Sequence, residues 1–180
     1  MRIKKEYSAG LIIDIQEKLF PHVNDHDKLL LNVKKLIAGL EALDIPVVTT
    51  QQYTKGLGPT LSEISSCFKN FRFHEKLSFS CCDDEEFMKA LKPLNKEYII
   101  ICGIETHVCV LQTAIDLIEE DYTPVIVEDC VGSRNENDKK IAIERMRQEG
   151  AIIVTYESIL FELCRFAGND QFKLISKIVK

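Results

Sequence analysis

Apolar and amphipathic runs alternate along the whole chain, and the period of each run predicts its element. Ala9-Gly-Leu-Ile-Ile13 is continuously apolar and reads as a buried strand ending at Asp14. Lys28 to Leu43 carries apolar residues at 29, 30, 33, 36, 37, 40 and 43, the spacing of one helix face. Ile45 to Gln51 predicts a second strand, started by Pro46, and Tyr53-Thr-Lys-Gly-Leu-Gly-Pro59 a loop rich in turn residues. Phe71 to Glu75 follows as a short third strand, then Asp83 to Leu91 as a short helix with acidic residues in its first turn. Tyr98 to Cys102 is the clearest strand and Thr106 to Glu120 the clearest helix. Pro124 to Val127 predicts a fifth strand, followed by a polar loop through Gly132 and Asn135 and a helix from Asp138 to Gln148 closed by Gly150. Ala151 to Thr155 is a sixth strand, and helical segments over 157–166 and about 170–179 finish the chain.

Strands that alternate with helices pair in parallel, because a parallel connection needs a crossover of a dozen or more residues. The strands are near-continuous apolar runs, as expected where both faces of a sheet are covered. The pattern therefore predicts an α/β chain folded as a three-layer α/β/α domain over residues 1–180, with no repeat or linker to divide it.

Composition narrows the function classes. A chain of 180 residues can bury a substantial core as one domain. Its net charge of -5, without a block of Lys or Arg, argues against nucleic acid or a membrane surface as partner. Seven cysteines without paired spacing argue against a disulfide framework and for a reducing compartment. The opening Met1-Arg-Ile-Lys-Lys-Glu-Tyr7 is too short and too charged for a signal peptide, and no apolar run approaches membrane-spanning length. The expectation is a cytoplasmic protein.

In open parallel sheets, ligands bind beyond the carboxyl ends of the strands, where the strand order reverses. Asp14 ends the first strand, Lys76 closely follows the third, and Cys109 lies one short turn, Gly103-Ile-Glu-Thr106, past the fourth. A thiol in the first turn of a helix sits where backbone N–H groups point at a ligand. At an ordinary pKa of about 8.5 it is only a few per cent thiolate at neutral pH, so a nucleophilic role requires activation. A helix start supplies roughly 0.3–1 kcal/mol, whereas an ammonium about 4 Å away supplies up to about 4 kcal/mol at an effective dielectric near 20. A Lys76 beside Cys109 is therefore expected to dominate thiolate formation and fast alkylation, with Asp14 moving the proton.

The stretch Gly103-Ile-Glu-Thr-His-Val-Cys-Val110, with Asp14-Ile-Gln16 upstream and Lys76 between, resembles the isochorismatase-like cysteine hydrolases. Gln52-Tyr-Thr-Lys-Gly-Leu-Gly-Pro-Thr60, Asp129-Cys-Val-Gly-Ser-Arg134 and Phe161-Glu-Leu-Cys-Arg165 extend the resemblance, which covers about residues 7–180 and is closest to isochorismatase domain-containing and YcaC-like hydrolases. It implies a Rossmann-like, six-stranded, mainly parallel sheet, with Cys109 as nucleophile, Asp14 as general acid/base and Lys76 as the cation between them. It also implies a cis peptide between Ile104 and Glu105 and an oxyanion hole from the backbone N–H groups of Glu105 and Cys109. The family's nicotinamidases carry a metal-binding Asp-x-His after the second strand, where this chain reads Thr49-Thr-Gln-Gln-Tyr-Thr54. The resemblance thus implies no metal and no cofactor, disfavours nicotinamide as substrate, and favours hydrolysis of a C–N bond in a small molecule.

Other residues carry alternatives. Phe20 and Tyr53 either pack the core or line the pocket; His107 is a helix-start residue at the pocket or a subunit contact; Glu105 supplies a carboxylate or only its backbone. Adjacent Cys81 and Cys82 are poor disulfide partners and read as structural. A ligand-binding protein without turnover and a thiol redox sensor are the rival functions. The apolar carboxyl-terminal segment, with Ile159, Leu160, Leu163, Phe166, Phe172, Leu174, Ile175 and Ile178, either docks within the chain or joins subunits, and a homo-oligomer is expected.

Overall fold

In the computed structural model, which describes residues 2–180, the strands are β1 Ser8–Ile13, β2 Val47–Gln52, β3 His74–Lys76, β4 Tyr98–Ile104, β5 Thr123–Gly132 and β6 Ile152–Val154. They form one sheet in the order β3-β2-β1-β4-β5-β6, and every neighbouring pair is parallel. Met1, the first residue of the predicted domain, lies outside the described residues. The helices are α1 His26–Ala42, the short α2 Thr54–Leu57 and α3 Ser62–Ser65, α4 Glu85–Leu91, α5 Leu111–Glu119, α6 Glu136–Glu149, α7 Tyr156–Cys164 and α8 Asp170–Val179. A π-helical turn, Thr106–Val110, leads into α5.

Alternate side chains of the buried strands face opposite layers. Ile12, Ile100, Val125 and Val127 pack with Leu29, Val33, Leu36 and Leu40 of α1, Ile159, Leu160 and Leu163 of α7, and Ile175 of α8. Leu11, Ile13, Ile99, Ile101 and Ile126 pack on the other face with Phe87 and Leu91 of α4, Ala114 and Leu117 of α5, and Met146 of α6. The carboxyl-terminal segment therefore docks within the chain, against α1, although Phe166 and Leu174 stay exposed.

Four local expectations are corrected, and the alternative left open for Phe20 is decided. Lys76 lies inside β3 rather than after it, because the parallel pairing to β2 runs from Thr50↔His74 to Gln52↔Lys76 and leaves Phe71 to Phe73 outside the ladder. The predicted loop after β2 contains the one-turn helix α2, and the helix expected from Thr106 begins as a π turn. The polar stretch expected as a loop after Val127 belongs to β5: the register jumps from Ile101↔Ile126 to Gly103↔Val131, so Glu128 and Asp129 ride on an irregularity within the strand. Phe20 is buried in the core beside α1, its ring 5.7 Å from that of His26, rather than in a pocket.

The sheet reverses its strand order between β1 and β4, and Gly103 lets these two strands close there. Its φ is +134°, and a Cβ at this position would stand 2.2 Å from the Ile13 carbonyl oxygen and 2.7 Å from the Ile13 nitrogen. Both are backbone atoms that cannot turn aside. Gly103→Ala is expected to cost about 3 kcal/mol of stability, read as a lower urea midpoint at unchanged slope; an unchanged midpoint would show that the strands separate there freely.

Candidate active site at the strand switch point

Ile13 pairs with Thr50 on one side and Gly103 on the other, so the residue after β1 stands between the carboxyl ends of β2 and β4. That residue is Asp14, fully buried and with φ at +52°. Aspartate tolerates the left-handed region better than most side chains. Its two carboxylate oxygens have different partners: Oδ1 accepts from Thr50 Oγ1 at 2.8 Å, and Oδ2 accepts from Lys76 Nζ at 2.8 Å. Both side chains of the Asp14–Lys76 ion pair are wholly shielded from solvent.

Lys76 is held by more than its counter-charge. Its ammonium also donates to Gln52 Oε1 at 2.7 Å and to the carbonyls of Ser78 at 3.1 Å and Phe79 at 3.0 Å, so every N–H has a partner. Thr50 and Gln52 alternate on β2 and therefore face the same side. They insert between Asp14 and Lys76 because β2 lies between β1 and β3. Gln16, fully buried, fixes that end of β2: its Nε2 donates to the carbonyls of Gln52 and Gly58, and its Oε1 accepts from the Gln52 N–H at 2.7 Å.

Burial pulls the Lys76 ammonium down, but the Asp14 charge, joined by those of Cys81 and Cys109 once these thiols ionise and by the hydrogen bond to Asp14, outweighs it and leaves the ammonium held above its ordinary value. Cys109 is 6% exposed and in the π turn after β4. Its thiol is pushed well up by burial first, then by the Asp14 charge; Lys76 pulls it down, and a hydrogen bond to Asp14 raises it further. The expectation that Lys76 dominates and yields a ready thiolate is therefore corrected. The ammonium is already committed to Asp14, and burial favours the neutral sulfur. The resting group is a thiol beside the carboxylate that can take its proton.

Around this centre, the peptide between Ile104 and Glu105 is cis. The Glu105 side chain, nearly buried, accepts from both the backbone N–H and Nε of Arg134 at 3.0 Å. His107 is half-buried, with Nδ1 2.9 Å from Ser133 Oγ. Thr106 Oγ1, buried at the first residue of the π turn, has no hydrogen-bond partner among the described residues. Tyr53 is half-exposed on a cleft of about 580 Å³ that it shares with Lys76, Leu77 and Ser78, while Glu105 and Arg134 share a recess of about 310 Å³ with Leu19 and His22. Among the described residues, no cluster of three or more His, Cys, Asp or Glu could hold a metal ion.

Thr50, Gln52, Gln16 and Cys81 were given no role in the site from the sequence, although Gln16 and Gln52 lie in the segments that carry the resemblance. A sign was available: Thr49-Thr-Gln-Gln52 is a polar run at the carboxyl end of a strand whose neighbours cover both faces. Cys81, read as structural, is fully buried and joins the network, its Sγ 4.0 Å from Thr50 Oγ1 and its backbone N–H donating to Thr113 Oγ1.

With this geometry in view, a model of the isochorismatase domain matches residues 8–158. The chain belongs to the isochorismatase family. It is 40% identical over 184 residues to isochorismatase family protein 1B of Dictyostelium discoideum, covering 99% of this chain and 89% of that protein. The MAR1 ribonuclease structure from Caenorhabditis elegans superposes with a TM-score of 0.93 at 33% identity, covering 99% of this chain and 92% of that one. The YcaC gene product of Escherichia coli, described as an octameric hydrolase of unknown specificity, gives 0.93 at 31% identity, covering 99% and 89%. The sheet is thus the hydrolase sheet of this isochorismatase-like family. No helix among the described residues is long and apolar enough to cross a membrane.

The opposing charges at Cys109 make a signed prediction for this isochorismatase-family protein. By thiolate ultraviolet absorbance, with Cys109→Ala subtracted, the wild-type thiolate is expected only well above neutral pH. Asp14→Asn, which removes the negative charge, should lower the midpoint; Lys76→Met, which removes the positive one, should raise it. A wild-type thiolate at neutral pH, or shifts of the same sign in both variants, contradicts this electrostatic account.

Proposed function

We propose that this isochorismatase-family protein is a metal-independent cysteine hydrolase that cleaves a C–N bond, of amide or carbamoyl type, in a small molecule. The observation that carries the reading is a fully buried Asp14–Lys76 ion pair at the strand switch point, both charges of which act on the neighbouring Cys109 thiol. A buried ion pair is a weak source of stability, since desolvating two charges costs several kcal/mol each. Proton transfer at Cys109 gives it a use.

In the proposed cycle the Cys109 S–H proton passes to Asp14 as sulfur attacks the substrate carbonyl carbon. The carbonyl oxygen gains the electron pair and is received by the backbone N–H groups of Glu105 and Cys109. Collapse of this tetrahedral intermediate breaks the C–N bond, and the amine leaves with the proton that Asp14 held. Water then attacks the thioester, giving its proton to Asp14, which returns it to the Cys109 sulfur as the acid departs. Lys76 keeps Asp14 charged before each transfer and does not itself exchange a proton.

A nucleotide-polymer substrate, which the name of the MAR1 ribonuclease raises, fits this chain less well. Its net charge is -5, and the cleft beside Lys76 adds Glu75, Asp83 and Asp84, so a phosphate backbone entering that cleft would meet carboxylates rather than the cations whose counter-ion release drives such binding. Seven free thiols accord with a reducing, cytoplasmic setting, and the exposed Phe166 and Leu174 with association into a homo-oligomer.

Incubation with pooled small amides, followed by intact-mass analysis, is expected to reveal an acyl adduct on Cys109 and to name the acyl half of the substrate. Cys109→Ala should lose the adduct and at least about 10³-fold of turnover. Hydrolysis that persists in Cys109→Ala would overturn the proposal.

Turnover of the substrate so identified is also expected to survive exhaustive chelation, because Thr49 to Thr54 offers no carboxylate or imidazole to a metal. Activity lost on chelation and restored by zinc or iron would contradict it.

A further inference from the structure

We infer that Thr50 is a positioning residue that sets the proton affinity and orientation of the Asp14 carboxylate through a buried relay running Cys81 Sγ–Thr50 Oγ1–Asp14 Oδ1. The inference rests on the proposed cysteine chemistry and adds to it a part of the machinery outside the nucleophile, acid/base and cation.

Every member of the relay is buried: Cys81, Thr50 and Asp14 are each 0% exposed. The Thr50 hydroxyl has one proton to give, and it gives it to Asp14 Oδ1 at 2.8 Å. Cys81, 4.0 Å behind it, presents a thiol that burial pushes up to about 12, so it remains S–H and, with the Thr50 proton already given to Asp14, donates toward the Thr50 oxygen. A hydroxyl that accepts from behind is polarised and oriented to donate forward. Backbone geometry reinforces the alignment, since the Asp14 N–H donates to the Thr50 carbonyl and Ile13 is paired with Thr50 across the β1–β2 ladder.

The consequence is a carboxylate with each oxygen held by a different strand. Thr50 of β2 secures Oδ1, Lys76 of β3 secures Oδ2, and the carboxylate can turn toward or away from Cys109 only by breaking one of these bonds. A hydrogen bond donated to a carboxylate favours its charged form. Without the hydroxyl, Oδ1 would lose its donor and the negative carboxylate a stabilising contact, leaving Asp14 less available to receive the proton from Cys109. The titratable groups facing Asp14 are Lys76, Cys81 and Cys109, and the substitution of Thr50 leaves all three in place.

The test needs no substrate. The rate of acrylamide addition to Cys109, followed by intact mass and peptide mapping across acid to alkaline pH, reports how readily the thiol loses its proton; the acid limb belongs to the Asp14–Cys109 pair together. Thr50→Val keeps the shape and burial but removes the hydroxyl; Thr50→Ser keeps the hydroxyl. Thr50→Val is expected to move the acid limb up by about one pH unit, slowing addition about tenfold on that limb, with Thr50→Ser restoring the wild-type position. An unmoved limb in Thr50→Val, or a slowing uniform in pH and shared by Thr50→Ser, reduces Thr50 to packing and overturns the inference while leaving the cysteine mechanism standing. A wild-type profile that is indifferent to Asp14→Asn overturns both.

Discussion

The Asp14–Lys76 ion pair is the interaction on which the rest of the site depends. Its partners come from strands separated in the sheet by β2, so the contact exists only if β1, β2 and β3 are in register and end together. Two charges removed wholly from water are tolerable when they neutralise one another and when their remaining hydrogen-bonding capacity is filled. The protein meets that condition with Thr50 on the carboxylate, with Gln52 and two backbone carbonyls on the ammonium, and with Gln16 bracing Gln52. The polar end of β2 is thus a consequence of the charged pair on either side of it. Breaking the pair by removing one partner would strand the other charge in the core.

In the proposed cycle the same pair is what lets a strongly protonated thiol serve as a nucleophile. Burial and the neighbouring carboxylate hold the Cys109 proton on sulfur, while Lys76 opposes them. A thiol of this kind is sluggish toward adventitious electrophiles and oxidants, because the reactive species is the thiolate. Under the proposed mechanism it becomes nucleophilic when its proton moves to Asp14, and the energetic cost of that transfer falls once an electrophilic carbonyl and oxyanion donors are in place to receive the developing charge. The electrostatics favour proton transfer coupled to attack over a standing thiolate.

Much of this arrangement was legible in the residues. The six strands and the placement of Asp14, Lys76 and Cys109 near strand ends follow from apolar runs with period one or two and from what interrupts them, so local pattern sufficed. Where it failed, long-range pairing had overridden it. Glu128 and Asp129 read as the start of a loop, yet the ladder to β4 resumes beyond them at Val131. Lys76 read as a residue after a strand, yet its pairing with Gln52 draws it into β3. The contribution of Cys81 was hidden for a different reason: nothing in its local sequence tells that the loop after β3 folds back to set its sulfur behind Thr50. The sign of the Cys109 shift was likewise illegible, since it depends on the depth of burial and on which group the Lys76 ammonium has already chosen.

The central claim is that the proton rests on Cys109 sulfur beside a charged Asp14 and is not already transferred. Infrared difference spectroscopy of wild type minus Cys109→Ala at neutral pH tests it most directly, because the S–H stretch falls in a region free of other protein bands and the remaining six thiols cancel. The account predicts a resolved S–H band assignable to Cys109, shifted by its hydrogen bond to a carboxylate, with no carboxylic-acid carbonyl from Asp14. Absence of the S–H band together with an acid carbonyl that disappears in Asp14→Asn would show a resting thiolate with a protonated Asp14, and would contradict it.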